Sequence, residues 1–394
     1  MCMVTCRVCE SNTVEELIDF GAHPIVNNLI HFKNEEYQNY PFRLGSCTCC
    51  GFLQVMEVID PSILYQNYFT VSSWKNQPHV SRLIGVMEDI AGLNKKDKVL
   101  DIGCNDGSFL ESLTSAGYHN VFGIEPTQDS FKLAESKNLN VHHGFFTKNT
   151  AKNFYEKKSF DTVITRQVLE HISDLNNFLG GIEFILKDKG TLVIEVPDGE
   201  ANMDNLDYGL WEEHVNYFTL NTLKTLLQKH FFDVVHHEVT LFSGRTLTVF
   251  CQKSKQKQVN NTPLNDFSKI SKFRDNWDGF KSELIKFLDS RGKPIIMYGC
   301  GARSSNFLNF TGAANYVDCY VDDQIEKQNL YVPGENLKVE PWNEKYLDYY
   351  MLLGVNAESE YKLIHKRQLN SDNYSSVLPP SKNLPKFWQS MIYD

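Results

Sequence analysis

The chain has 394 residues and a formal net charge of -10, enough length for two or three domains with ample core. The acidic balance leaves no basic footprint for nucleic acid or an anionic membrane, and no apolar run approaches a membrane span. Met1-Cys2-Met3-Val4-Thr5-Cys6 lacks the charged and apolar regions of a signal peptide, so a cytoplasmic chain is expected, with its ten cysteines as metal ligands or free thiols rather than disulfides.

Cys6-Arg7-Val8-Cys9 and Cys47-Thr48-Cys49-Cys50 form two C-x-x-C knuckles, with Gly51 directly after the second. Each knuckle can present two thiolates to a tetrahedral zinc, so Cys6, Cys9, Cys47 and Cys50 complete a four-thiolate set. The bland alternative is a small core of reduced cysteines. The gap exceeds the usual ribbon spacing, so the segment between must form its own loop or hairpin. Four thiolates leave no open position, and the metal would be structural, the staple that so short a segment needs. Cys49 is expected to be a spare thiol.

An aromatic run, Tyr65 to Trp74, precedes an amphipathic helical pattern from Pro78 to Ala91. The run is either ordinary packing or a lid over the next domain. That domain opens with Val99-Leu100-Asp101-Ile102-Gly103-Cys104-Asn105-Asp106-Gly107, an apolar strand, a glycine-rich turn and then a helix from Ser108. The glycines are expected to let backbone approach a bound molecule without a Cβ in the way. The D-x-G-x-x-x-G spacing is not the G-x-G-x-x-G of a dinucleotide site, and Asp101 would repel a pyrophosphate. An adenosine with a cationic centre and no phosphate fits better, and S-adenosylmethionine is such a ligand. Glu125 ends the next strand, Val121 to Glu125, where a ribose-binding carboxylate belongs.

Phe160 to Ile164 reads as a fourth strand, followed by Arg166-Gln167-Val168-Leu169-Glu170-His171, and Gly190 to Pro197 as a fifth. Asp198 to Asn205 reads as a loop. Trp211-Glu212-Glu213-His214-Val215-Asn216-Tyr217-Phe218-Thr219 then packs acid, imidazole and phenol beyond the strand ends, where such folds bind substrate. His171 would face the same crevice, and Thr219 is placed to cap a helix from Leu220 to His230. Leu241 to Cys251 reads as a closing hairpin, Lys253 to Pro263 as a linker, and Leu264 to Ser290 as helical. A second α/β pattern starts at Pro294-Ile295-Ile296-Met297-Tyr298, whose glycine turn, Gly299-Cys300-Gly301-Ala302-Arg303, is either an anion site with Arg303 adding charge or a tight packing turn. Further strands are expected at Tyr316 to Asp322 and Asp348 to Leu353.

With these residues in order, the chain resembles the three-domain sugar C-methyltransferase family, whose members methylate a carbon of a nucleotide-linked keto-deoxysugar with S-adenosylmethionine. The resemblance runs through the four cysteines with Tyr40-Pro41-Phe42, Asp101 to Gly107, Glu125-Pro126, Gln167 to His171, Glu213-His214 with Tyr217-Phe218, and Gly299 to Ala302. It continues in Val321-Asp322-Asp323, Val332-Pro333-Gly334, and Asn356 with Glu360. It implies an α/β fold of three domains: zinc-binding at 1–65, a class I methyltransferase doubly wound sheet at 66–255, and a Rossmann-like domain at 262–394 in contact with the nucleotide sugar. It also implies cofactor contacts from Asp101, Gly103, Asn105, Gly107, Glu125, Phe145 and Gln167. Substrate contacts are expected from Trp211, Tyr217, Arg245, Gly301, Arg303 and Asn306. Two positions depart from the family: Trp211 replaces a common tyrosine, and Phe242-Ser243-Gly244-Arg245 replaces a His-Gly-Gly-Ser turn.

Carbon beside a ketone becomes nucleophilic only after a proton leaves. The expected mechanism has His214 as base, with Glu213 holding its tautomer as in a catalytic triad. His171 or Tyr68 would hydrogen-bond the enolate oxygen. The competing readings are an O- or N-methyltransferase on an activated sugar or glycan precursor, a nicotinamide oxidoreductase using the Gly299–Gly301 turn, and a non-catalytic nucleotide-sugar binder.

Overall fold

The computed structural model describes residues 4–64, 77, 79–254 and 267–393. The expected lid run and Tyr68 lie outside the described residues, as does most of the linker. Between the cysteine knuckles the chain forms an antiparallel hairpin, β1 (Val14–His23) with β2 (Tyr40–Cys47), extended by β3 (Leu53–Val55). The segment between the knuckles thus supplies its own hairpin, and Cys47 ends a strand so that the second knuckle turns back on the first.

In the middle of the chain follow β4 (Val99–Ile102), β5 (Val121–Glu125), β6 (Val141–His143), β7 (Phe160–Arg166), β8 (Leu186–Pro197), β9 (Asn216–Tyr217), β10 (Phe232–Leu241) and β11 (Arg245–Lys253). Seven of them form a sheet in the order β10-β11-β8-β7-β4-β5-β6. All neighbours are parallel except β11, which runs against β8 and β10. The order reverses at β4, flanked by β5 and β7, and the crevice outside the strand ends at that switch point is where doubly wound sheets bind ligands. These strands are apolar runs buried on both faces, as a helix-covered parallel sheet requires.

Three readings of the chain need adjustment here. Asp198 to Asn205 is not a loop: helix Gly199–Asp204 forms, because the Asp198 carboxylate caps it by accepting the Glu200 and Ala201 N–H groups, and Ala201 and Met203 are buried. The helical stretch after the linker breaks at Asn276 into Phe267–Asp275 and Trp277–Asp289. And β9, in the Glu-His loop, leaves the central domain to pair with β3, so the N-terminal sheet has the order β1-β2-β3-β9.

The C-terminal part carries β12 (Ile295–Tyr298), β13 (Cys319–Val321), β14 (Tyr331–Val332), β15 (Leu337–Glu340), β16 (Tyr350–Leu353) and β17 (Tyr374–Ser376), ordered β14-β15-β13-β12-β16-β17. The N-terminal sheet is wedged between the other two units. Phe20 and Phe42 pack with Trp277 and Phe310 of the C-terminal part, with ring centroids 4.7–5.6 Å apart for these pairs. Cys6, Val8, Cys47 and Phe52 belong to the same buried cluster as Leu100, Ile194 and Phe218 of the central domain. No helix among the described residues is long and apolar enough to cross a membrane.

Candidate functional site

The Cys6 and Cys50 sulfurs are 3.6 Å apart, as are those of Cys9 and Cys47, and all four lie within 4.8 Å of one another. Four sulfurs around zinc at about 2.3 Å would stand about 3.8 Å apart, close to the spacing of these pairs, so the set suits that ion. Ser11 Oγ lies 3.1 Å from Cys9 Sγ and 3.3 Å from Cys47 Sγ, a hydroxyl placed to support a thiolate. Cys49 is exposed and outside the set.

At the switch point, Asp101 is the third residue of β4 and Glu125 the last of β5. Glu125 Oε2 accepts the Asn105 N–H at 2.9 Å, and Oε1 accepts the Thr127 N–H and hydroxyl at 2.8 and 2.5 Å. The carboxylate therefore ties the turn to the next strand. Asp101 Oδ1 is buried without a partner among the described residues. Burial pushes its carboxyl up to about 7, against the pull of Arg166 and with the nearby Glu125 and Glu195. An orphaned acid beside a tethered acid suits a cofactor that brings hydroxyls and a cation.

The glycines of the turn also answer a demand from within the protein. Gly103 and Gly107 have φ of 74° and 77°, and a Cβ there would collide with Val168 and Leu139 respectively. They are required by left-handed backbone and by packing inside the protein. Gln167 donates its N–H to the Glu195 carbonyl at 2.7 Å and its carboxamide to Thr246 Oγ1 at 3.2 Å. Phe145 follows β6 with its side chain 48% exposed. Beside Gln167 lies a charged group with no sequence signal beyond its residue types. Glu195 of β8 lies 3.1 Å from His79 Nε2 and 3.4 Å from the Arg166 guanidinium of β7. Burial alone would raise Glu195, but Arg166 and His79 outweigh it and hold its carboxyl below the usual range.

The Glu-His loop and the turn after β7 meet in an acid–imidazole cluster. The His171 and His214 rings stand edge to face with centroids 4.8 Å apart, and Trp211 packs on His214 at 4.7 Å. Glu213 does not hold His214 as a triad acid would: its Oε2 is 4.0 Å from His171 Nδ1, and its Oε1 accepts from Asn27 Nδ2 at 3.1 Å. Glu170, given no role from sequence, is the closer acid, since its carboxylate and the nitrogens of His171 and His214 lie within 4.8 Å of one another. Burial raises both Glu170 and Glu213 to about 8, lowers His171 to about 4, and drives His214 well below its ordinary value, with His171 and Arg303 adding to the effect. Near neutral pH both imidazoles are thus uncharged.

His214 opens onto a cleft of about 590 Å³ walled by all three parts of the chain, including Val26, Asn27, Trp211, Tyr217, Phe242, Arg245, Tyr298, Gly301 and Lys362. Trp211 and Phe242, the two departures, both line it. Arg303 reaches the cleft but is not a free cation at the glycine turn: it donates to Asp207 at 2.5 Å and to Asn356 at 2.9 Å, joining the C-terminal unit to the central one. Nor is the turn an open anion site. The Cys300 N–H donates to Asp322 at 2.8 Å and the Gly301 N–H to Ser304 Oγ at 3.0 Å, and a carboxylate in that place repels a phosphate. Asn306 is buried away from the cleft and donates to Glu212 at 2.6 Å. Glu212 also accepts the Val26 N–H at 3.0 Å, so this acid, missed from sequence, sits where the three units join.

Three family models match the chain in succession: a "Putative zinc binding domain" over residues 6–65, a methyltransferase domain over 75–237, and a C-methyltransferase C-terminal domain over 248–372. The C-methyltransferase NovU of Streptomyces niveus is 23% identical over 382 residues, covering 90% of each chain. A ubiquinone biosynthesis O-methyltransferase of Bartonella tribocorum is 30% identical over 101 residues, 25% of this chain and 40% of that one. A SAM-dependent methyltransferase structure from Archaeoglobus fulgidus aligns with a TM-score of 0.39 and 20% identity, covering 49% of this chain and 100% of that one.

Proposed function

We propose, for a chain that belongs to the three-domain sugar C-methyltransferase family and is a class I S-adenosylmethionine-dependent methyltransferase, that its substrate is a nucleotide-linked 4-keto deoxysugar methylated at carbon. The observation that carries the reading is the neutral imidazole of His214 at the wall of a three-sided cleft, with His171 and Glu170 behind it. A carbon acid needs a base that is already unprotonated and partly dry, and burial puts His214 in that state.

In this reading the zinc held by Cys6, Cys9, Cys47 and Cys50 is structural. Asp101 and Glu125 hold the cofactor, which when bound supplies an electrophilic methyl group to the nucleophile formed on the substrate. His214 takes the proton from the carbon beside the ketone. The imidazolium that forms lies within 4.8 Å of a Glu170 carboxyl oxygen, the nearest acid to offset its charge. His171, neutral beside His214, is the residue we assign to the developing enolate oxygen, with a Glu213 carboxylate oxygen 4.0 Å from its Nδ1. Tyr217 lies in the wall, its burial holding the phenol protonated. Arg245, 3.4 Å from Asp198 and partly exposed, and Lys362 are the cleft cations we assign to the diphosphate. A positioned base contributes roughly 10²–10⁴-fold.

A second reading, methylation at oxygen, is favoured by the O-methyltransferase relatives of the middle segment and by Trp211, which cannot accept a hydrogen bond. Incubating the purified protein with methyl-labelled S-adenosylmethionine and a panel of nucleotide sugars separates the two. Carbon methylation predicts a new C–CH₃ signal from a 4-keto sugar. It also predicts solvent deuterium entering that position without cofactor. Turnover of a plain hydroxyl sugar with every keto sugar inert would transfer the assignment to oxygen.

A further inference from the structure

We propose that Arg7, inside the first cysteine knuckle, is a positioning residue for His214, so that the metal–thiolate centre sets the geometry of the acid–imidazole cluster. This rests on the reading of His214 as the base. The knuckle and the Glu-His loop are far apart in sequence, yet one guanidinium spans them. Arg7 Nη1 donates to the carbonyl of Val215, the residue after His214, at 2.9 Å, and Nη2 donates to the Val55 carbonyl of β3 at 2.8 Å. The Val55 N–H donates to that same Val215 carbonyl at 3.0 Å. The planar fork thus fixes where the loop meets the sheet, which a point charge on a flexible stem would do less well.

The neighbouring contacts extend the clamp in both directions. Gln54, buried in β3, accepts the Arg7 N–H at 2.9 Å and donates to the Thr5 carbonyl at 3.1 Å, holding the knuckle backbone. Gln54 pairs with Asn216 in the β3–β9 ladder. Asn216 Nδ2 donates to the Leu169 and Ile172 carbonyls at 3.1 and 2.7 Å, which bracket Glu170 and His171. Both halves of the cluster are therefore tied to the knuckle by hydrogen bonds from one side.

Arg7 forms no ion pair with a carboxylate among the described residues, although it is half-buried. Four thiolates on one divalent cation carry a net charge of −2 directly beside it, which supplies the counter-charge. The metal centre thus does two things for the loop: it closes the knuckle that carries Arg7, and it balances the cation that grips Val215.

The test uses the full-length zinc-loaded protein, labelled with ¹⁵N-histidine, as Arg7→Gln and Arg7→Lys, with His214→Asn as reference to assign the His214 ring. Zinc per chain and S-adenosylhomocysteine affinity should match wild type in both Arg7 variants, because Asp101 and Glu125 lie elsewhere. The His214 ring resonances should shift, and kcat with the accepted sugar should fall roughly 10- to 100-fold in Arg7→Gln, with partial recovery in Arg7→Lys. Wild-type kcat and unmoved His214 resonances in Arg7→Gln would overturn the proposal. So would loss of zinc or of cofactor affinity in both variants, which would make Arg7 a folding residue. Full turnover by His214→Asn would instead remove the base assignment, while the resonances of the Arg7 variants still decide whether the clamp exists.

Discussion

Two buried acids give the sharpest expectations at the level of single side chains. Asp101 sits at about 7 because burial disfavours its charge, and a cationic ligand favours the ionised form. Binding must then expel a proton below about pH 7, so S-adenosylmethionine affinity by calorimetry should weaken as pH falls from 7, approaching tenfold per unit. Asp101→Asn should bind weakly and lose that slope. Glu170 has a folded value of about 8, above the ~4.3 of an unfolded chain. The folded state holds the proton between those values, so its contribution to stability falls as pH rises through that window. Glu170→Gln cannot ionise, and its melting temperature should gain on wild type between pH 6 and pH 8. His214→Ala should lower turnover by about 10²-fold or more while leaving S-adenosylhomocysteine affinity near wild type. The residue types of this cluster were legible in Glu213-His214 and in the Leu169-Glu170-His171 run. Their pairing was not: adjacency in sequence suggested Glu213 with His214, whereas the backbone turn hands Glu213 to His171 and brings Glu170 up from another element.

Among elements, the turn after β4 shows a pattern with a cause inside the protein. The glycine spacing marks the turn, and at Gly107 a φ of 77° and Leu139 packed over the Cα demand it. Gly107→Ala should cost about 1–3 kcal/mol and loosen cofactor binding, measured by thermal unfolding and calorimetry; a stable, tightly binding variant would show that the turn relaxes at little cost. Strong periodic elements were readable because their apolar repeats match their own geometry: β4, β5, β7, the β11 arm of the closing hairpin and helix Leu220–Lys229 with its Thr219 cap, whereas the β10 arm, Phe232–Leu241, lay outside the expected hairpin. The short ones were not. Helix Gly199–Asp204 has no apolar period of its own and depends on the Asp198 cap and on burial by neighbours. β9 is two residues long, and only the presence of β3 makes it a strand.

Across the whole molecule, Glu212 decides how the three units meet, accepting from Val26 on one side and Asn306 on the other. Glu212→Ala leaves both donors unpaired and should lower stability by about 2 kcal/mol, seen as a lower urea midpoint; an unchanged midpoint would mean that apolar packing alone fixes the junction. The amino-acid sequence by itself determined the local chemistry: four cysteines in two knuckles, an acid in each of β4 and β5, and a neighbourhood of imidazole and carboxyl groups beyond the sheet. Those follow from residue type and short spacing, which act within a few positions along the chain. Only the tertiary structure decided who faces whom. Arg303 is spent on Asp207, the Gly299–Gly301 turn is closed by Asp322, and the Glu-His loop is borrowed by the N-terminal sheet. Each depends on groups distant in sequence competing for one hydrogen bond or one buried place, and that competition is settled by packing in three dimensions.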